Sequence, residues 1–175
     1  MLDNCSEMVM NEPLILTLAL DQVSSAFFNA RRQQFFPPSI NYLNAHLTLF
    51  HHLPQGQPEI TMLLDSMQHP IIKLEVTEVV SIGKGVVYKL ESSELRALHN
   101  LLGNKWQQWL TPQDKHSLWP HVTVQNKVTA QVAKQTLEEL KNSFTPFVAY
   151  GLGLNLYVYK GGPWQFQKFY SFGNG

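Results

Sequence analysis

His46-Leu47-Thr48-Leu49 returns 75 residues later as His121-Val122-Thr123-Val124, the same His-apolar-Thr-apolar pattern written twice in one chain. In an extended strand successive side chains alternate between faces, so His46 and Thr48 share one side while Leu47 and Leu49 take the other. His121 and Thr123 stand in the same relation to Val122 and Val124. Each copy sets an imidazole and a hydroxyl side by side, with an apolar back suited to packing on helices. That pairing is half of an acid-base site for a phosphate. One copy alone reads as two polar residues on a solvated strand face. Chance composition yields roughly 0.07 such tetrapeptides in a chain of this make-up, so two copies favour chemistry over that plainer reading.

Working outward, residues 14–20 read as a short buried strand introduced by Pro13. Asp21 caps a helix running to about Gln34, with Val23, Ala26, Phe27 and Ala30 at inward spacing and Arg31 and Arg32 near the carboxyl end, where cations suit the helix dipole. The first motif strand is expected over residues 45–50. His51 and His52 follow, but neighbouring strand residues face oppositely and no Cys, Asp or Glu stands at ligand spacing, so neither metal nor cofactor is expected. Ile60, Leu63, Leu64 and Met67 mark a second helix, and residues 71–90 a hairpin turning at Gly83-Lys84-Gly85. Ser92 or Ser93 caps a helix carrying Leu95, Leu98, Leu102, Trp106 and Trp109, ended by Thr111-Pro112. A polar, flexible stretch over 113–118 then leads through Trp119-Pro120 into the second motif strand, residues 121–125. Thr129 starts a helix presenting Val132, Ala133, Thr136, Leu137, Leu140 and Phe144. Strands over 147–159 and 164–172 close the chain.

The halves share an order of motif strand, linker, amphipathic helix and strand pair, a weak internal repeat with one motif in each. The expected architecture is α+β: one domain of two lobes related by a pseudo-two-fold, with two antiparallel sheets flanking a central cleft and helices outside.

Composition narrows the function classes. With 175 residues, 44% hydrophobic and 15% charged, the chain has the make-up of an ordinary globular protein. Thirteen basic against thirteen acidic residues leave no net charge, so phosphate recognition has to be local rather than a broad basic footprint. The single Cys5 fits a reducing compartment, and Asp3 and Glu7 argue against a secretory leader. The longest apolar run is too short to span a bilayer, and the expected location is the cytoplasm.

On its two His-x-Thr-x motifs, its opening strand and its closing Tyr- and Leu-rich strands, the sequence resembles the 2H phosphoesterase superfamily, which includes bacterial 2′-5′ RNA ligase and RNA 2′,3′-cyclic phosphodiesterase proteins. The resemblance covers nearly the whole chain. It implies that His46 and His121 are the catalytic pair and that Thr48 and Thr123 bind substrate. Family members often carry an Arg shortly after the second motif, where this chain has Gln125, Asn126 and Lys127. Lys127, Arg31 and Arg32 are the candidates to supply that charge, although Lys is a point charge rather than a bidentate clamp and the two arginines also suit a helix end.

The implied reaction is hydrolysis of a 2′,3′-cyclic phosphate, on an RNA end or a nucleotide, with reverse 2′-5′ RNA ligation as its companion. It needs one group to take a proton from water and another to give one to the leaving ribose oxygen, work suited to two imidazoles and requiring no metal. The implied partner is RNA or a nucleotide, with no membrane and no protein partner, the chain acting as a monomer. Two rivals stand beside this reading. One is a nonenzymatic RNA- or nucleotide-binding module, which would have little use for two titratable bases. The other is a phosphodiesterase on a different small cyclic phosphate, such as ADP-ribose cyclic phosphate.

Overall fold

The computed structural model describes residues 12–173, so Cys5, Asp3 and Glu7 lie outside the described residues. The apolar run Leu14–Leu20 is strand β1, hydrogen-bonded on both sides and buried through its first five residues. Asp21 then ends the strand and begins helix α1, Gln22–Phe35. Its carboxylate accepts the Ser24 amide at 2.9 Å, the Ser24 hydroxyl at 2.7 Å and the Tyr150 amide at 2.8 Å, so one cap fastens the helix to a distant strand.

The inward face of α1 differs from the expected one. Ser24, Phe28 and Arg32 are buried, whereas Val23 is 81% exposed and Ala26 and Ala30 face solvent. The stripe is rotated because an arginine takes an interior position, its guanidinium satisfied by backbone carbonyls and an amide rather than by water.

Strand β2 is Leu47–Leu53, helix α2 Pro58–Ser66, and strands β3 and β4 are Ile72–Ser81 and Val86–Glu91. Helix α3 spans Ser93–Lys105 behind the Ser92 cap, β5 is His121–Gln125, and α4 is Ala130–Ser143 behind the Thr129 cap. The closing strands are β6, Phe147–Tyr159, and β7, Trp164–Ser171. Helix α3 stops short of the expected end, and Trp106 caps it, buried. Residues 113–118 are polar as expected but held in turns: Lys115 and His116 donate their amides back to Thr111 and Gln113, and Asp114 is buried.

All pairings are antiparallel, in the order β2-β1-β6-β3-β4-β5, with β7 added to the second half of β6. The lobes are thus two ends of one continuous sheet rather than two separate sheets. The repeat is clearer here than in the sequence. The first half runs β1-α1-β2-α2-β3 and the second β4-α3-β5-α4-β6, and each half's third strand pairs with the first strand of the other. Helices cross over as well. Phe27 and Phe28 of α1 pack edge-on against Tyr88 of β4, while His99 of α3 stacks on Phe50 of β2 and hydrogen-bonds the Leu49 carbonyl. Each motif strand is backed by a helix from the opposite half.

Strand β6 changes one of its partners part-way along. Gly151 pairs with both Leu20 and Ile72, and a Cβ there would meet the Leu18 side chain at 2.8 Å, so a larger residue would have to push that side chain aside. The two motif strands occupy the two ends of the six-strand path and approach one another. Among the described residues no helix is long and apolar enough to cross a membrane.

Candidate active site

Leu47, Leu49, Val122 and Val124 are all at most 2% exposed, which leaves His46, Thr48, His121 and Thr123, each half-buried, on the opposite face. Period-2 alternation does this at both strands. The alternation in β2 is then interrupted: Leu16 pairs with Phe50 but Thr17 with Thr48, making Leu49 the extra residue of a bulge, and both Leu49 and Phe50 are buried.

The imidazoles are held alike. His46 Nδ1 lies 2.7 Å from the Asn44 carbonyl and His121 Nδ1 lies 2.7 Å from the Trp119 carbonyl, in each case two residues back along the chain. A carbonyl only accepts, so Nδ1 carries the hydrogen and Nε2 of the neutral ring presents its lone pair. An indole flanks each ring: Trp164 at 4.5 Å from His46, centroid to centroid, and Trp119 stacked at 4.6 Å on His121. Tyr42, Asn44, Tyr157 and Trp164 surround His46 in a cavity of about 250 Å³.

Burial pushes His46 down to about 4; the Asn44 carbonyl works against that, and the nearby charges of Arg32, His51 and His121 add to it. His121 is lowered as well, first by burial and then by His51, with the Trp119 carbonyl opposing. The two rings and His51 are therefore within electrostatic reach of one another. Both motif rings are neutral bases in the free protein at neutral pH.

Basic side chains are committed elsewhere. Arg32, 5% exposed, donates through Nε to Asn41 Oδ1 at 2.9 Å and the Leu43 carbonyl at 3.0 Å, and through an Nη to the Thr123 carbonyl at 2.9 Å. Lys89, in register with His121, is bridged to Glu78 at 3.3 Å and Glu91 at 2.9 Å. Arg31 packs over the Phe27 ring and its charge reaches Tyr88, on the helix-facing side of the sheet that Val122 shares, so it does not join the imidazoles. Lys127 is exposed two residues past β5, in a left-handed conformation with φ 61°. Among the described residues no group of three or more His, Cys, Asp or Glu side chains is gathered as for a metal ion.

A family-wide sequence profile matches residues 20–163, described as the 2′-5′ RNA ligase superfamily. The chain belongs to this superfamily. Its members are 2H phosphoesterases, acting on phosphodiester bonds. Among solved structures, E. coli LigT complexed with 3′-AMP superposes with a TM-score of 0.63 at 17% identity, over 94% of this chain and 99% of LigT. A structure described as a phosphoesterase gives 0.60 at 17% over 94% and 99%, and TT0787 of Thermus thermophilus gives 0.55 at 16% over 91% and 97%. At these identities the likeness is one of fold. No curated protein sequence matches.

Sequence reasoning misses Trp164, 118 residues from His46, because strand pairing alone brings them together. Trp119 is within its sight, two residues from His121, but registers there only as an approach to the strand.

Proposed function

We propose that this 2′-5′ RNA ligase superfamily member is a metal-independent phosphodiesterase that opens a 2′,3′-cyclic phosphate, with His46 and His121 as catalytic residues. The observation that carries the proposal is the matched tethering of the two rings, Nδ1 to the carbonyl two residues back, which frees both Nε2 atoms. A module that only bound phosphate would gain more from Arg or Lys donors than from two neutral rings.

In the reaction one Nε2 takes a proton from water as the water oxygen bonds to phosphorus. The P–O bond to one ribose oxygen breaks, and the other ring, protonated, delivers its proton to that oxygen. The Thr48 and Thr123 hydroxyls donate hydrogen bonds to the non-bridging oxygens as charge builds there. Ligation to a 2′-5′ bond uses the same transfers in the same direction, with a ribose 5′-hydroxyl in place of water: its oxygen bonds to phosphorus as one ring gains its proton, and the P–O bond to the 3′-oxygen breaks as the other ring protonates that oxygen. Trp164 and Trp119 offer flat apolar faces on which bases of an RNA end or nucleotide stack.

The test is hydrolysis of 2′,3′-cyclic AMP and of a short RNA bearing a 2′,3′-cyclic end, each with and without EDTA. Turnover that EDTA leaves intact is expected. Tight binding without turnover would make the protein a binding module, and loss of turnover on chelation would put a metal into the mechanism.

A further inference from the structure

We infer that His51, held by the buried carboxylate of Asp114, is a phosphate-binding residue of the same cleft. This rests on the reading of the cleft as a phosphodiester site.

Asp114 sits in the turn between α3 and β5, its side chain 1% exposed. It accepts the His51 amide at 2.9 and 3.1 Å, the His52 amide at 2.8 Å, and the His51 ring at Nδ1 at 3.2 Å. Two successive amides point at one carboxylate because β2 is irregular again here: Leu14 pairs with Leu53 and Leu16 with Phe50, three steps against two. A carboxylate accepts only, so Nδ1 is the protonated nitrogen and Nε2 is turned outward on a side chain still 45% exposed.

The face of the strand on which His51 stands follows from the register of β2. The bulge that buries both Leu49 and Phe50 returns His51 to the side of Thr48, the face on which the motif rings also stand. The basic side chains placed above leave room for such a residue. Arg32 is spent on backbone carbonyls, Lys89 is held by two carboxylates, Arg31 packs away from the rings and Lys127 lies beyond the strand. Charged only when protonated, the His51 ring held by Asp114 then offers its Nε2–H to a phosphoryl oxygen, from the edge strand that carries Thr48.

The same chemistry serves the reacting phosphate or the next phosphate of an oligonucleotide. Adenosine 3′-monophosphate, with one phosphate, and the dinucleotide ApAp, with two, separate these. Their binding is measured by calorimetry on the intact chain as wild type, His51→Asn and His51→Arg. Because no turnover is read, a protein that binds but never hydrolyses overturns the proposed reaction and leaves this test intact.

The expected result is binding weakened about 10- to 100-fold in His51→Asn, the range of one charge-assisted hydrogen bond, and largely recovered in His51→Arg. Thermal melting of both variants should stay near wild type, since His51 is half exposed and its backbone amide still reaches Asp114. Weakening with both probes assigns His51 to the reacting phosphate; weakening with ApAp alone assigns it to the neighbouring one. Unchanged affinity for both probes in His51→Asn overturns the inference. So does an arginine variant no better than the asparagine, or a wild-type chain that binds neither probe.

Discussion

The Arg32 guanidinium donates to the Thr123 carbonyl at 2.9 Å, tying a helix of the first half to the motif strand of the second. The same group holds Asn41 and Leu43 on the approach to His46, so a single side chain spans both motifs. Burial draws Arg32 down to about 10, which still leaves it charged at neutral pH. Arg32→Gln is expected to cost on the order of 3 kcal/mol in urea unfolding, since it leaves buried carbonyls without donors. Arg32→Lys should recover only part of this, because an ammonium lacks the fork that reaches several acceptors. Either loss below about 0.5 kcal/mol would show that the bridge is dispensable.

His46→Ala and His121→Ala should each lower turnover of a 2′,3′-cyclic nucleotide by about 10²- to 10⁴-fold, the range of one positioned acid or base. The double variant should fall little below the poorer single one, since failure of either proton transfer leaves the other without a productive transition state. Thr48→Val and Thr123→Val should cost less, each deleting one hydrogen bond to phosphate. Single-turnover rates measure all five proteins on one scale. Multiplicative losses in the double variant would mean the rings act separately.

The pH dependence of kcat/KM reports the free enzyme's acid and base. If the more strongly depressed ring, His46 at about 4, serves as the base of the proposed reaction, it loses activity on protonation and the acid limb should fall near pH 4. His121 would then serve as the acid and must be protonated; being lowered from the usual value of about 6.5, it should turn the alkaline limb down below that pH. The maximum is expected between about pH 4 and 6.5. Arg32→Gln removes a charge that depresses His46, so its acid limb should move upward. A wild-type maximum at pH 8 would contradict the assignment.

Stability should fall with acid before the carboxylates titrate. His46, His121 and His99 are all lowered by burial, so at mildly acid pH the unfolded chain takes protons that the folded one refuses. Their contribution is complete above about pH 6.5, the unfolded value, and is lost as pH falls, for His46 down to about 4. Asp114 and Asp21, both held below the usual carboxylate value, add a further loss only at lower pH. Thermal melting from pH 7.5 to 4 should show a steady decline that is shallower in His46→Gln. A flat curve over that range would mean that the rings take up protons freely in the folded state.

Much of the local structure is legible in the chain. Asp21, Ser92 and Thr129 are caps wherever they stand, and period-2 alternation alone separates His46 and Thr48 from Leu47 and Leu49. What escapes is decided by partners far away in sequence. Arg32 has the look of a helix-end cation, yet it is buried because the Thr123 carbonyl, 91 residues on, accepts from it. Asp114 has the look of a polar loop residue, and its burial depends on two edge-strand amides 62 and 63 residues earlier. The bulges of β2 leave no mark in composition. They appear only once β1 is laid alongside.

The exchange of third strands has a consequence for how the chain reaches this form. Neither half contains a complete sheet: β1 finds its inner neighbour in β6, where Thr17 lies against Asn155, and β4 finds its own in β3. Contacts so distant in sequence are slow to form, because chain closure must precede any reward. A nascent chain that has extended only through β5 has both motif strands but lacks β6, the strand between β1 and β3. Folding of the two lobes is then one event, waiting on residues 147–159, and two fragments parted at the Gly83 turn would gain their structure only on meeting each other.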